Sequence, residues 1–178
     1  MKRISFTVLM LLALLATTGA APAANMQASD NFVAVLSGGD EVPARDTNAR
    51  GVATFKLNPD GTLDYTLNAA NIENVVAAHI HCGAVGVNGP VGVTLFSGGT
   101  PGSGRFDGVL AQDTILAPDP PNPITGAPNP CGWTTLEQVL TALHSGNTYV
   151  NVHTNDGIAP PNTGPGDFPG GEIRGQVR

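Results

Sequence analysis

The stretch AAHIHCG, residues 77–83, decides which fold the chain is expected to adopt. It places two imidazoles two residues apart in an otherwise small and apolar run, which is typical of a β-strand. Successive side chains of a strand point to opposite faces of the sheet, so His79 and His81 project side by side from one face. The stretch therefore predicts a strand that presents a pair of histidines.

A third histidine stands in a matching context further along the chain. The run YVNVHT, residues 149–154, is another β-rich segment, and it carries His153. If this strand neighbours the first on the same face, His79, His81 and His153 converge, and three imidazoles can hold a transition metal. Neutral imidazoles suit copper, zinc or nickel, and the usual order of affinities favours copper. We therefore expect one copper ion, with zinc as the alternative.

Three polar residues near these strands are candidates for supporting the site. Asp156 and Glu172 could supply a fourth ligand or orient a ligand histidine, and Asn151 could hydrogen-bond to an imidazole. The alternative hypothesis is that the three histidines are structural. They would then hydrogen-bond to their neighbours and hold the strands together without a metal.

Further short β-rich runs surround the two histidine strands. The predicted strands are residues 31–37, 51–57, 62–68, 75–82, 91–96, 105–110 and 172–177. The sequence NPDG, residues 58–61, separates two of them and is a strong hairpin signal. Short strands at regular spacing with turn signals between them predict an all-β protein, an antiparallel β-sandwich or barrel.

One short α-helix and two long loops interrupt the strands. Thr135 and Gln138 form a capping-box pattern, an apolar stripe follows at helical spacing, and Gly146 stands where a helix C-terminal glycine belongs. Residues 117–132 and 156–171 contain six and four prolines and are predicted to run over the surface. Because the second loop follows a histidine strand directly, it would either cover the histidines or act as a rigid connector.

The first 23 residues have the pattern of a secretory signal peptide. Lys2 and Arg3 precede an apolar run, and the sequence APA, residues 21–23, supplies the small-x-small pattern of a cleavage site. We therefore expect residues 24–178 to form a single exported domain, periplasmic or extracellular. No stable membrane insertion is expected after removal of the signal peptide.

The charge of the chain excludes two classes of partner. The formal charge is −6, and it becomes −8 when Lys2 and Arg3 leave with the signal peptide. Nucleic acids and anionic membrane surfaces both require a basic footprint, so neither is an expected partner. A metal ion and an envelope or extracellular protein are the partners that the sequence allows.

The two cysteines, Cys82 and Cys131, both lie in the part predicted to be exported. In an oxidising compartment, two cysteines in a small domain most often form a disulfide, which here would tie a histidine strand to the first proline-rich loop. The alternative makes Cys82 a thiolate ligand beside His79 and His81. Strand alternation argues against it, because Cys82 follows His81 and should point to the opposite face.

Several other polar residues are interpreted as structural. The segment EVP, residues 41–43, is expected to be a strand-edge turn. Glu172, Arg174 and Gln176 share one face of the last strand, which we expect to be solvated or ion-paired. His144 follows the apolar stripe of the helix and is expected to interact with the helix dipole rather than with a metal.

Several strings resemble the CHRD domain, named for its occurrence in chordin. They are AHIHCGAVGVNGPV from residue 78, LHSGNTYVNVHT from residue 143 and GEIRGQV from residue 171, and LSGGDEVPARDTNARGVATFKL from residue 36 is similar to the opening of that domain. The resemblance covers about residues 32–177. It implies an immunoglobulin-like or barrel domain of the kind found in exported bacterial proteins, and it implies no particular activity.

A weaker likeness is to the copper–zinc superoxide dismutase sandwich. His79 and His81 match its His-x-His strand, and His153 matches its later copper ligand. A bridging histidine and the following zinc ligands have no counterpart, and His144 is the only other histidine. The likeness therefore implies metal binding and a superoxide-dismutase-like fold, and it does not imply the dismutase reaction.

Two hypotheses about function follow, and neither is an enzyme. The sequence has no Gly-x-Ser-x-Gly elbow, phosphate loop or dinucleotide fingerprint. The first hypothesis is an exported CHRD-domain protein that binds or carries a transition metal, copper by preference. The second is a structural or adhesive envelope module without a metal, which presents its proline-rich loops to a partner. A metal-dependent oxidoreductase or hydrolase is the one enzyme hypothesis that the histidines support.

Overall fold

The computed structural model describes residues 31–178, and the predicted signal peptide, residues 1–23, lies outside the described residues. The described chain contains eight strands and one α-helix. In chain order the elements are β1 (Asn31–Ser37), β2 (Arg50–Leu57), β3 (Leu63–Glu73), β4 (Val75–Cys82), β5 (Val91–Phe96), β6 (Arg105–Ile115), α1 (Leu136–His144), β7 (Thr148–Thr154) and β8 (Ile173–Gln176). A short 3-10 turn, Gly38–Asp40, follows β1.

The eight strands form one antiparallel sheet in the order β5-β4-β7-β8-β1-β2-β3-β6. The predicted hairpin is present as β2 and β3, with Val52 paired to Asn68 and Leu57 to Leu63. The sheet curls so that its two halves approach each other, and the Tyr65 hydroxyl donates to the Leu95 carbonyl at 2.6 Å. The prediction of an antiparallel β-sandwich or barrel is confirmed as a nearly closed barrel.

The core lies inside the curled sheet and is built from alternate residues of the strands. Burial alternates along β1 and β2, as strands with one buried face require. The largest fully buried apolar side chains are Leu36, Phe55, Leu63, Leu67, Ile72, Ile80, Val139, Leu143, Val150, Val152 and Ile173. The opposite face of each strand is therefore free to carry polar groups.

The predicted strand ends differ from the observed ones mainly in β3 and β6. Both are longer than predicted, because register shifts between Leu67 and Asn68, opposite Ala111 and Val109, and between Ala69 and Ile72 interrupt the two-residue period. Asn71 lies in this region with φ 54°, and its backbone N–H donates to the Asp107 carboxylate at 2.7 Å. The alternation of apolar and polar residues is lost at the irregularity, so the sequence pattern predicts that the strand ends there.

The helix forms where its signals predict it. The Thr135 side chain accepts from the Gln138 backbone, and the Gln138 side chain accepts from the Thr135 backbone, so the capping box is complete. Gly146 has φ 67° and donates its backbone N–H to the Leu143 carbonyl at 3.0 Å. Val139 and Leu143 are buried in the core cluster. Among the described residues, no helix has the length and apolar character needed to cross a membrane.

Candidate metal site

The pairing of β4 with β7 brings the three predicted histidines together. Ala77 is paired with His153, and His79 is paired with Asn151. Since alternate residues of a strand share a face, His79, His81 and His153 all project from the side of the sheet opposite the core. The sequence predicted the pair on β4, and the tertiary structure supplies the third histidine.

The three imidazoles form a compact triangle. The ring centroids are 4.9 Å apart for His79 and His153, 5.7 Å for His79 and His81, and 5.9 Å for His81 and His153. One ring nitrogen from each residue lies within 4.8 Å of the other two. Nitrogen ligands at about 2.0–2.1 Å from a tetrahedral metal stand about 3.4 Å apart, so modest side-chain movements would bring all three nitrogens to one ion.

Backbone carbonyls orient two of the three imidazoles. The Nδ1 atom of His81 lies 2.9 Å from the Gly89 carbonyl oxygen, and Nδ1 of His153 lies 2.9 Å from the Pro169 carbonyl oxygen. A carbonyl only accepts, so each Nδ1 carries the hydrogen and each Nε2 keeps its lone pair. This arrangement is the one that metal-binding histidines ordinarily adopt. The loop after β7, which contains Pro169, thus contacts the cluster.

Nε2 of His81 is buried and has no hydrogen-bond partner among the described residues. His81 is only 8% exposed, so solvent does not readily satisfy this atom. Buried polar atoms in native proteins nearly always have a partner. The free lone pair of His81 is what a metal ion in the triangle would use, and the residues present therefore fit a transition-metal ion.

The third imidazole is held by another histidine. Nδ1 of His79 lies 3.1 Å from Nε2 of His153. Because the Nε2 atom of His153 is an acceptor, His79 donates the Nδ1 hydrogen in the metal-free protein. A metal bound to both nitrogens would replace this hydrogen bond, and His79 would then carry its hydrogen on Nε2.

Burial favours the neutral form of all three imidazoles. Burial, with the nearby His153 and His81 rings as smaller causes, lowers the pKa of His79 to about 4. Burial also lowers the pKa of His81 to about 4, against the opposing effect of its bond to Gly89. The pKa of His153 is lowered by burial as well. Neutral imidazole is the form that binds transition metals, so protons do not compete for the site at neutral pH.

An aromatic and cationic stack lies against one side of the cluster, and sequence reasoning missed it. The Tyr149 ring stacks on His81 with a centroid distance of 4.8 Å and an interplanar angle of 11°. The guanidinium carbon of Arg174 lies 3.7 Å from the centre of the same Tyr149 ring. The Tyr149 hydroxyl accepts from the Gly89 backbone N–H at 3.1 Å, so it also contacts the residue that orients His81.

The expectation that the outer face of β8 is solvated or ion-paired is wrong for Arg174, which is buried and forms no ion pair with another described residue. This residue is only 2% exposed, because the loop between β4 and β5 lies over it. The guanidinium donates to the Asn88 side-chain oxygen at 3.0 Å and to the Val87 carbonyl at 3.3 Å. The same face also buries Glu41, which is only 7% exposed although it ends a turn.

Asn151, a predicted partner of the histidines, contacts Glu41 instead. Its side-chain N–H donates to the Glu41 carboxylate at 2.9 Å, and its side-chain oxygen is buried without a partner among the described residues. Burial raises the pKa of Glu41 to about 7, although the charges of Arg174 and Arg45 oppose this shift. The pair lies on the histidine face, since Asn151 is opposite His79.

The other two predicted partners lie away from the imidazoles. The Asp156 carboxylate accepts from the Ile158 backbone N–H within its own loop at 2.8 Å. Glu172 is fully buried and accepts from Thr47 at 2.6 Å, from Thr154 at 2.7 Å and from the Gly166 backbone N–H at 2.8 Å. Within residues 31–178, no hydrogen bond joins either carboxylate to a histidine of the cluster.

Glu172 points away from the site for a reason that is visible in the backbone. Thr154 alternates with His153, so the hydroxyl that Glu172 contacts is on the opposite side of β7 from the imidazoles. β8 begins at Ile173, so Glu172 precedes the strand and does not follow its alternation. Strand periodicity extended back from Arg174 therefore assigned Glu172 to the wrong face.

The predicted disulfide and the fourth histidine are both outside the cluster. Cys82 and Cys131 are joined, with their Cα atoms 5.8 Å apart, which confirms the predicted pairing and leaves no free cysteine among the described residues. His144 ends the helix, where its Nδ1 lies 2.8 Å from the Leu140 carbonyl and its ring contacts Phe32. The site therefore contains three histidines and no sulfur ligand from the described residues.

Comparison with known proteins identifies one family. The model of the CHRD domain matches residues 32–177, a range that contains the three histidines and runs from β1 to just beyond β8. No curated protein and no solved structure matches the chain.

Proposed function

Since the chain belongs to the CHRD domain family, we propose that it is an exported CHRD-domain protein that binds one transition-metal ion, copper by preference. The ligands are His79, His81 and His153. The observation that carries the proposal is the Nε2 atom of His81, which is buried in the cluster and lacks a hydrogen-bond partner. Coordination of a metal would satisfy this atom.

The preference for copper follows from the ligands. Nitrogen ligands bind divalent copper more tightly than divalent zinc or nickel. The described residues contribute three neutral imidazoles and no thiolate to the cluster. The fourth position would be taken by water or by a ligand from a partner, which suits uptake and transfer of the ion. We therefore assign the protein to metal binding or trafficking rather than to catalysis.

Two features support export of the protein. Residues 1–23 have the charge, the apolar run and the cleavage pattern of a signal peptide. The disulfide between Cys82 and Cys131 suits an oxidising compartment. Fractionation of expressing cells, with the mass of the mature N-terminus, tests this part of the proposal. Recovery of the uncleaved chain in the cytoplasm would contradict it.

The metal is tested with protein purified from the periplasm. Its metal content is measured first, and the metal-free protein is then titrated with Cu(II) and followed by electron paramagnetic resonance. We expect one equivalent with nitrogen coupling, lost in His81→Ala. The matched control is His144→Ala, because His144 lies at the end of the helix and outside the cluster. This control should bind copper as the wild type does.

One observation favours a second candidate function, a structural or adhesive envelope module without a metal. The 3.1 Å contact between His79 and His153 joins β4 to β7 directly, side chain to side chain. Under this hypothesis His79→Ala lowers stability in a protein that contains no metal. Weak, non-saturating binding of both Cu(I) and Cu(II) to the wild type would contradict the metal proposal and favour this one.

A further inference from the structure

A buried positive charge lies beside the three histidines, and it bears on which copper ion they hold. We propose that the stack of Arg174 on Tyr149 on His81 raises the affinity of the site for the cuprous ion, Cu(I), relative to that for Cu(II). The inference rests on the proposed function, because it concerns the same cluster. It adds the dependence of affinity on the oxidation state of the ion and names Arg174 as the residue that contributes this difference.

The sheet order places Arg174 where its charge reaches the site. β7 lies between β4 and β8, so His81 and Arg174 approach Tyr149 from opposite sides. The imidazole centroid is 4.8 Å and the guanidinium carbon 3.7 Å from the centre of the Tyr149 ring.

The charge of Arg174 is permanent and fixed in place. A guanidinium group does not lose its proton in proteins. Its contacts with Asn88 and Val87 hold it under the loop between β4 and β5, and it is only 2% exposed. Solvent therefore screens it weakly. Glu41 is a nearby acidic group that opposes this charge, and it is hydrogen-bonded to Asn151 rather than to Arg174.

The ligands do not compensate for the charge of an incoming ion. The cluster consists of three imidazoles, and no carboxylate or thiolate of the described residues belongs to it. Because no ligand neutralises the ion, Cu(II) keeps two positive charges in the site and Cu(I) keeps one. The positive charge of Arg174 therefore repels Cu(II) more strongly than Cu(I).

The guanidinium carbon lies 3.7 Å from the Tyr149 ring centre, which lies 4.8 Å from the His81 ring centre, so it is at most 8.5 Å from the imidazole. At about that separation and an effective dielectric constant of about 20, with partial cancellation by Glu41, this charge changes the ratio of the two affinities about tenfold.

The test compares the two oxidation states in the full chain. Cu(I) affinity is measured without oxygen in competition with bicinchoninate, and Cu(II) affinity in competition with nitrilotriacetate. We expect both ions to bind the wild type, and the ratio of Cu(I) affinity to Cu(II) affinity, which defines the preference for Cu(I), is the quantity compared among the variants. Arg174→Gln should lower this preference about tenfold, equivalent to about 59 mV in the one-electron midpoint potential. Arg174→Lys keeps the charge and should retain most of the preference.

Two further variants make the result specific to this charge. Arg50→Gln removes an exposed arginine of β2 and should leave the preference unchanged. Glu41→Gln removes the carboxylate that opposes the Arg174 charge and should increase the preference for Cu(I). This second variant tests the inference even if Arg174→Gln does not fold. An unchanged ratio in Arg174→Gln, or no opposite shifts in the Arg174 and Glu41 variants, would overturn the inference. Failure of the wild type to bind either ion would instead overturn the proposed function.

Discussion

Nδ1 of His79 lies 3.1 Å from Nε2 of His153, although these residues are not directly paired across β4 and β7. His153 is paired with Ala77, whose small side chain leaves room for the two rings to lean together. The Pro169 carbonyl fixes the other nitrogen of His153. The direction of the hydrogen bond between the imidazoles is therefore set by a loop that lies outside both strands.

The histidine cluster should make the metal-free protein less stable in acid. The pKa of His81 is about 4 in the folded chain, below its ordinary value of 6.5, so the unfolded chain binds more protons between these pH values. The contribution of His81 is complete above pH 6.5 and is lost as the pH falls towards 4. Urea unfolding with a chelator present, from pH 7 to pH 4, measures the decline.

The control for this acid effect is a comparison of two histidine variants. His81→Gln should show a weaker decline in the free energy of unfolding between pH 6.5 and pH 4 than the wild type. His144→Gln replaces a histidine outside the cluster and should keep the part of the decline that comes from His81. If the free energy of unfolding had the same pH dependence in all three proteins, the prediction that His81 is buried in its neutral form would be contradicted.

Glu41 should have the opposite dependence on pH. Burial raises its pKa to about 7, above the ordinary value of 4.5, so the folded chain binds more protons between these values. Ionisation of Glu41 therefore lowers stability as the pH rises from 4.5 through 7. We expect Glu41→Gln to be more stable than the wild type at pH 8 and to lose that advantage at pH 4. Urea unfolding at both pH values tests this, and a constant difference would contradict it.

Glu172 should support the fold rather than the metal site. Its buried carboxylate accepts three hydrogen bonds, from Thr47, Thr154 and Gly166. Glu172→Ala leaves these donors without a partner and should lower the free energy of unfolding by about 3 kcal/mol. Glu172→Gln keeps an acceptor and should cost less. Copper titration of the Gln variant should match the wild type, and loss of copper binding in a folded variant would assign Glu172 to the site.

The disulfide should contribute to stability through the unfolded chain. Cys82 and Cys131 are 49 residues apart, and a loop of that length corresponds to about 4 kcal/mol in the chain-entropy model. The double variant Cys82→Ser, Cys131→Ser should lose most of this amount in urea unfolding. The oxidised and reduced wild type provide the matched comparison. An unchanged free energy of unfolding after reduction would contradict the prediction.

Local patterns predicted much of the fold and part of the site. The side-chain alternation of a strand puts His79 and His81 on one face wherever that strand lies in the sheet. The capping box at Thr135 and the hairpin between β2 and β3 are likewise formed by residues close in the chain. Such features depend on backbone geometry over a few residues, which is why the sequence predicts them.

The contacts of Arg174 and Glu172 could not be predicted in the same way. Arg174 is buried because a distant loop covers it, and Glu172 turns from the histidines because it precedes β8 and its carboxylate is bound by Thr47, Thr154 and Gly166. Alternation assigns a side chain to a face, and it does not say what covers that face. Both errors came from extending a local rule to residues whose environment is made by other parts of the chain.

By itself, the sequence determined the antiparallel β class, the paired histidines of β4, the helix and the disulfide partners. Only the tertiary structure decided that β7 lies beside β4 with His153 next to His79, and that Arg174 and Tyr149 stack against His81. The physical reason is that strand order depends on the packing of the whole core and on the closure of long loops. The period of a single strand carries no information about its neighbours.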